Sequence, residues 1–552
     1  MKKNLLALFL LFTSAFQSAT LAQTATKPNS PARKAAEKIT AEQLKDYLYY
    51  VASDEMEGRD TPSRGLDLTA KFIALNLKQW GFKPAGDDGT FFQKFALNIR
   101  TTDSAKTQLE IGGRNLRYGK DFFTNPVPAT ITDSPLVFAG NGWLLKSKNL
   151  DALKDTDVKG KTVVIYSKDF YPDGVTQADL FSGKLGKAFV DWIEPLSYAR
   201  EKGAAGVIII ATQADEENWQ NERRQREHGG MSVEKFTQIS ISKNRNIPTI
   251  VISRDAAENL FQGESIAFSE INRLSEANLP LPTVALGKTA SYTVQSKIDK
   301  ASTQNVAAVW EGNDPVLKNE MVAIGAHYDH VGTNPNAKGE DKIWNGADDD
   351  GSGTVAVLSI AEALAKSPKR PKRSVLFVWH AGEEKGLWGS EYFNRFPTVD
   401  IKSVVAQLNI DMIGRSRKAG DTNPKNANLT NETEVYVIGS KMMSSELGEV
   451  TRTVNNSFLN LTYNYKYDDP KDPNRFFFRS DHFNYAVNGI PIVFWFDGVH
   501  EDYHQPGDEP QKIDYAKMER ISRTIFLTLW ELADLKERPK VDKQLPPELT
   551  VR

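Results

Sequence analysis

From about Asn305 onward the chain alternates continuous apolar runs with stretches of helical spacing. Four runs carry the pattern: MVAIGA (321–326), SVLFVW (374–379), VVAQLNI (404–410) and IPIVFWF (490–496). A strand with one wet face would alternate apolar and polar residues. These runs do not, so each reads as a strand buried on both faces of a largely parallel sheet. Between them the period changes. Residues 352–366 place Val357, Ile360, Ala361 and Leu364 on one helical face, and 515–535 read as a C-terminal helix. The alternation predicts an α/β fold, a three-layer sandwich with a mostly parallel central sheet.

Upstream, Thr40 with Gln43 three residues on marks a helix start, followed by helical spacing through Leu44, Leu48 and Val51. A second helix is expected over 66–80, stopped by Gly81. Residues 126–270 change character again: the short strands SPLVFAG, KTVVIYS, AAGVIIIA and IPTIVIS, with a helix near Tyr198, predict a self-contained β-rich insert whose polar segment 215–228 is a surface loop. Residues 39–125 and 271–540 then form one interrupted domain, and 541–552 a tail.

At the start of the chain Lys2 and Lys3 precede an apolar segment, Leu5 to Phe12, and small or polar residues up to Ala22. This reads as a secretory signal peptide, residues 1–22, followed by a linker, 23–38, and predicts export to the periplasm or beyond. The apolar core is well short of the roughly 20 residues needed to cross a bilayer, and no later segment spans one. The chain has no cysteine, which excludes disulfides, a lipid anchor on cysteine and thiolate metal ligands. A net charge of −2 over 552 residues leaves no basic surplus for nucleic acid.

Each of the four buried runs delivers acids or histidines at or just past its carboxyl end: His327 and Asp329; His380, Glu383 and Glu384; Asp411; and Asp497, His500 and His504. That edge of an open α/β sheet is where ligands bind. A fifth group, Asp348 to Asp350 in NGADDDGSGT, precedes the 352–366 helix. Taken singly, each motif has a bland reading: HYD as packing, ADDDGSG as a helix-cap turn, DYHQPGDE as a surface loop, and Glu383–Glu384 as a solvated pair. Their joint occurrence at successive strand ends argues otherwise. Carboxylates converging on one rim repel one another unless a cation sits among them. With imidazole and carboxylate donors and no thiolate, zinc is favoured, with cobalt or manganese as substitutes, and the number of donors suits two ions.

The motifs GAHYDHVG, NGADDDGSGT, GEEKGLWGS, NIDMIG and YHQPGDE resemble the signature of the di-zinc aminopeptidases of metallopeptidase family twenty-eight. VASDEMEGRD and GFKPAGDDGTFFQKF resemble the N-terminal segment of that family, and the insert resembles a protease-associated (PA) domain. The resemblance implies that His327 and Asp411 hold one zinc, Glu384 and His504 the other, that Asp349 bridges both, and that Glu383 is the general base. Only the family pattern selects Asp349 over Asp348 or Asp350. It also implies a cis peptide bond between Asp349 and Asp350. An extended backbone at Glu383–Glu384 would let the two side chains diverge toward different partners.

Around these, Asp329 is expected to accept a hydrogen bond from the second nitrogen of His327, Tyr503 to help polarise the scissile carbonyl, and Asp481 with His482 to support the site. His330 and His380 read as supporting or packing residues, His500 as loop, and His228 as an exposed residue of the insert. The implied substrate is a peptide with a free N-terminus. The same scaffold serves carboxypeptidases and glutaminyl cyclases, and a non-catalytic binding protein resembling the transferrin receptor has it without the metal chemistry. The preferred N-terminal residue depends on loops such as 415–433 and 468–478, which the sequence does not place.

Overall fold

The structure, a computed structural model, describes residues 30–176, 179–180, 183–239, 246–337 and 339–550. The expected signal peptide and the first part of the linker lie outside the described residues. The chain divides into two compact units, Met1–Phe95 with Thr303–Arg552, and Ala96–Ser302.

In the first unit the four apolar runs form the strands Met321–His327, Ser374–His380, Val404–Ile410 and Ile492–Phe496, buried at every position. Met321–His327 pairs in parallel with Ser374–His380 on one side and Val404–Ile410 on the other, and Val404–Ile410 pairs in parallel with Ile492–Phe496. The flanks are antiparallel: Val306–Trp310 runs against Val375–Trp379, and Glu434–Ile438 against Ile492–Phe496. A parallel core needs cover on both faces, which is why these strands are apolar throughout. One layer is made by the helices Gly353–Ala365, Tyr515–Asp534 and Ala41–Val51, which pack on one another, and the other by Trp388–Arg395 and His482–Val487.

The cap read from the sequence is present, with Thr40 Oγ1 accepting the Gln43 N–H at 3.2 Å, and Ser63 Oγ accepts that of Leu66 at 3.1 Å to start the Arg64–Gln79 helix. The Gly353–Ala365 helix is buried all round rather than on one face, because it lies between the sheet and two other helices. Part of the expected linker is helical as well. Pro31–Ala36, capped by Ser30, buries Ala32, Ala35 and Ala36 against the C-terminal helix. In the tail Leu549 is buried in the core.

Lys517 of the C-terminal helix is fully buried, with Nζ 2.9 Å from Asp497 Oδ1 and donating to Arg415 O and Thr430 Oγ1 at 2.9 and 2.8 Å. Burial pushes the Asp497 carboxyl up to about 7 against the pull of Lys517, with Asp348 adding to the rise. Lys517→Met leaves that acid unpaired and is expected to cost about 3–5 kcal/mol of unfolding free energy. A group whose folded pKa is raised loses its stabilising contribution as pH climbs through that value. Urea titrations should therefore find the Lys517→Met deficit smaller at pH 5 than at pH 8.

The second unit has an eight-stranded sheet in the order Arg114–Leu116, Gln108–Ile111, Thr283–Val294, Ala129–Ala139, Thr162–Ile165, Gly206–Ile210, Thr249–Ile252, Phe122–Thr124. It is wider than the 126–270 expected. Thr283–Val294 hydrogen-bonds both Gln108–Ile111 and Ala129–Ala139, so segments far apart in sequence complete one sheet. The 215–228 segment is not a loop: Gln213–Glu217 starts with a reciprocal Thr212–Asp215 capping box, and Trp219–Glu227 follows it as a polar surface helix. His228 is exposed.

Candidate metal centre

The parallel register brings the carboxyl ends of three strands to one rim. His327 ends the Met321–His327 strand opposite His380, and Asp411 directly follows Val404–Ile410. After His380 the chain turns at Gly382, whose φ of 75° favours glycine. Glu383 and Glu384 sit in that turn, with the Glu383 carbonyl accepting from Gly386 and Leu387 at 2.8 Å. The pair is thus in a tight turn, not the extended stretch expected, and the turn is what separates the two side chains.

The three aspartates divide by what they bond. Asp348 Oδ1 accepts the Gly414 N–H at 2.6 Å, and Asp350 Oδ1 accepts those of Gly353 and Met412 at 2.9 and 3.1 Å. With Ser352 Oγ accepting the Ile413 N–H at 3.0 Å, these bonds zip the loop after Asp411 to the start of the Gly353–Ala365 helix. Only Asp349 turns its carboxylate to the rim, and the Asp349–Asp350 peptide is cis as expected. Gly346 is required next to it: a Cβ there would lie 2.4 Å from the Asp349 carbonyl oxygen and 2.5 Å from the His330 ring.

Sequence reasoning missed two residues that hold this loop. Asp508, fully buried, accepts the backbone N–H groups of Asp348 and Asp349 at 3.0–3.1 Å. Arg59, in the VASDEMEGRD segment, donates to the carbonyls of Tyr328, Val51, Asn345 and Gly346 at 2.7–3.0 Å. Asp508→Ala frees two buried amides and lets Asp349 shift. Loss of such a supporting partner is expected to weaken metal binding about 10–100-fold, measured by competition with a chromophoric chelator.

Two groups of donors can hold metal ions, each with its donor atoms within 4.8 Å of one another: His327, Asp349 and Asp411; and His330, Asp349, Glu384 and His504. His327 Nε2 lies 3.3 Å from Asp349 Oδ1 and 3.7 Å from Asp411 Oδ1. His504 Nε2 lies 3.1 Å from both Asp349 Oδ2 and Glu384 Oε2, and His330 Nδ1 lies 2.9 Å from Glu384 Oε1 and 3.8 Å from Asp349 Oδ2. Ligand atoms about 2.1 Å from a tetrahedral zinc are about 3.4 Å apart, a value these separations bracket. Glu384 Oε1, His504 Nε2 and both ring nitrogens of His330 are buried without a hydrogen-bond partner. The five residues expected to be ligands thus come together, joined by His330.

The electrostatics fit a cation. Burial opposes charging of His504, yet the Asp349 and Glu384 carboxylates beside it hold its imidazole up to about 10. His327 is also raised, against burial, by Asp411 and Glu383. Burial raises the Glu383 carboxyl, with Glu384, Asp411 and Asp481 adding to the rise and His327 opposing it. Imidazoles held protonated must lose those protons to coordinate, so metal affinity is expected to rise with pH through the neutral range. Zinc titrations by calorimetry in buffers of different ionisation enthalpy should show proton release at pH 7.

The supporting residues are partly as expected. His327 Nδ1 is 3.1 Å from the backbone carbonyl oxygen of Asp329, whereas the Asp329 carboxylate is 3.7 Å away. That carboxylate instead accepts the Glu383 N–H at 3.1 Å and the Thr61 hydroxyl at 3.2 Å, so it positions Glu383. Asp481 pairs with His380 Nδ1 at 3.3 Å. His482 is fully buried, stacks on Phe494 at 4.5 Å, and is pushed down to about 3 by burial; it packs as a neutral ring and belongs to neither donor group. His500 lies in the loop after Ile492–Phe496, as expected, but is buried there, with Nε2 3.2 Å from Asp348 Oδ2.

A cavity opens on the first donor group. It is lined by His327, Asp349, Asp411 and Glu383, with apolar walls from Met412, Phe476, Phe494, Phe496 and Val499, and with Tyr503 and Arg479. The Tyr503 ring stacks on His504 at 4.0 Å, and its hydroxyl accepts from Arg479 at 3.2 Å. Phe494 and Phe496 are alternate residues of one strand, a spacing that could have marked them as sharing a face.

Fold and site together define an α/β domain with a histidine–carboxylate metal centre at the carboxyl ends of its parallel strands. Residues 305–529, which contain every donor, match the model of Peptidase family M28. A probable leucine aminopeptidase from Arthroderma benhamiae is 30% identical over 231 residues, 40% of this chain and 56% of the relative. Leupeptin-inactivating enzyme 1 of Streptomyces exfoliatus is 28% identical over 38% of this chain and 39% of its own length. The matched segment spans about half the length of these curated relatives. Among solved structures, a zinc aminopeptidase from Bacillus subtilis is 18% identical over 93% of this chain and 99% of its own, with a TM-score of 0.49. Among the described residues no helix is long and apolar enough to cross a membrane.

Proposed function

We propose that this protein is an exported metallo-aminopeptidase that removes N-terminal residues from peptides, with two zinc ions per chain and Glu383 as general base. The observation that carries the reading is that Glu383 faces the same cavity as His327, Asp349 and Asp411, within a chain segment matching a peptidase family. The relatives named leucine aminopeptidase support the exopeptidase class. The N-terminal segment 1–22 supports export, and the 96–302 unit is read as PA-like.

His327 and Asp411 would hold one ion, Glu384 and His504 the other, and Asp349 both. Bound there, the pair would polarise the scissile carbonyl and acidify the attacking water. Glu383 takes the proton from that water and returns it to the leaving amine. Asp329 fixes the Glu383 backbone in the position this transfer needs. Burial raises the Tyr503 phenol, and the charge of Asp349 raises it further, so it stays neutral and can donate a hydrogen bond to the developing oxyanion. The apolar walls accept an apolar side chain, and the surrounding carboxylates attract a free amine.

One observation favours a second reading. Arg479, an exposed cation on the cavity wall, would attract a substrate carboxylate as a carboxypeptidase requires. Parallel assays of aminoacyl reporters, N-blocked peptides with free C-termini and N-terminal glutaminyl peptides, with and without chelator, separate the readings. Chelator-sensitive cleavage of the aminoacyl reporters alone is expected; cleavage confined to N-blocked peptides would overturn the aminopeptidase assignment.

A further inference from the structure

We propose that the second unit carries a binding site of its own, for a small zwitterion: a free amino acid or a peptide of two or three residues. The site is a cavity of about 320 Å³ between the segments 139–152, 167–173 and 275–283. It belongs to the 96–302 unit alone. The inference stands apart from the metal centre and from the reading of its chemistry.

Its place in the sheet is one where ligands bind. Ala129–Ala139 and Thr162–Ile165 run parallel, with Leu136–Phe138 opposite Thr162–Val164, and the cavity lies past the carboxyl ends of both. The walls are held in place by the protein itself. The Trp143 indole N–H donates to Phe170 O at 3.0 Å, the Lys168 N–H to Ser275 Oγ at 2.9 Å, and the Thr283 hydroxyl to Ala152 O at 2.8 Å. Preformed hollows of about 300–1,000 Å³ are the usual form of small-ligand sites.

Charge selects the ligand. Lys148 and Lys168 line the cavity, and among the described residues their ammonium groups donate only to backbone carbonyls, those of Asp173 and Glu276. Three carboxylates line it too. The Tyr198 hydroxyl takes that of Asp151 at 2.5 Å, whereas those of Asp169 and Asp173 have no partner among the described residues. An anion here meets the carboxylates, and a cation meets the ammonium groups. A neutral molecule would cover charges of both signs without pairing either, which costs free energy. A zwitterion pairs both, its carboxylate with the lysines and its ammonium with the aspartates. Leu150, Tyr171, Leu279 and Leu281 supply apolar surface for a side chain, and Leu279 is 47% exposed. Asn149 and Asn278, both in the left-handed region at φ 53° and 52°, carry side-chain amides without a partner among the described residues, and each can pair with a peptide group.

The test is calorimetric titration of the full-length chain. Leucine is the first probe, because it has both charges and no bond to cleave. Leucinol, without the carboxylate, and N-acetylleucine, without the ammonium, should each bind at least about 10-fold more weakly, the worth of one hydrogen bond to a charged group. Leucyl-leucine, titrated with a chelator present to stop turnover, identifies the source: tighter binding than leucine marks a peptide site, and weaker binding an amino-acid site. Asp169→Asn and Lys148→Met, both at exposed positions of the cavity, should each weaken leucine binding at least about 10-fold while metal content and melting temperature stay parental. Leucine binding that survives both substitutions belongs to another cavity and overturns the proposal. Equal affinity for leucine, leucinol and N-acetylleucine, or no binding of leucine or leucyl-leucine at millimolar concentration, overturns it as well.

Discussion

Replacing Glu383 with alanine is expected to lower kcat by about 10²–10⁴-fold, the range a positioned general base contributes. Zinc content should stay at the parental level. The separation follows from position: Glu383 lines the cavity but is not among either group of donors, whereas its neighbour Glu384 is 3.1 Å from His504. The Glu383 backbone is held by Asp329 and by its own turn, so truncating the side chain leaves the loop in place. Metal analysis of the purified variant beside its kcat and KM decides the matter. Parental turnover would end the general-base assignment, and loss of zinc would make Glu383 a ligand.

Asp349→Ala is expected to have the opposite signature, because its two carboxylate oxygens serve different groups. Oδ1 faces His327 at 3.3 Å, and Oδ2 faces His504 at 3.1 Å. Removing them takes one donor from each position, so zinc per chain should fall below one after dialysis, and activity should fall by at least about 10³-fold, several kcal/mol of transition-state stabilisation. Asp349→Asn, which keeps size but removes the charge, should behave alike. Excess zinc should restore little activity in either variant. Asp348 and Asp350 make a useful contrast: their bonds to Gly414, Met412 and Gly353 are structural, so Asp350→Asn should lower thermal stability more than it changes metal stoichiometry. Calorimetric melting and metal analysis on the same preparation distinguish the two outcomes.

Much of this arrangement was legible in the sequence because it depends on local rules. The four apolar runs became parallel strands because a strand covered on both faces has no polar positions to spare, and their ends delivered His327, Glu383, Glu384 and Asp411 to one rim. Thr40 caps its helix as its spacing from Gln43 implied. The choice of Asp349 over its neighbours was not legible. It depends on which backbone amides of residues 412–414 take up the other two carboxylates, 62 to 66 positions away.

Other features had no local signal at all. His330 follows Asp329 in an irregular segment without the period of a helix or strand, so spacing could not tell a packing imidazole from a donor. Asp508 reads as a loop acid until its carboxylate is found on the amides of Asp348 and Asp349. The second unit was underestimated at both ends because Gln108–Ile111 and Thr283–Val294 are recognisable as partners only once paired.

The sequence alone determined the chemical types available to this protein, an imidazole–carboxylate centre without thiolate, and the strands that carry them to one edge, because burial period and residue chemistry are local properties. Tertiary structure alone decided which oxygen of which aspartate faces the rim, that His330 joins the second group, and which side chains wall the cavity. Those outcomes are fixed by contacts between segments tens to hundreds of residues apart, where each polar group takes the partner that packing brings within hydrogen-bond reach.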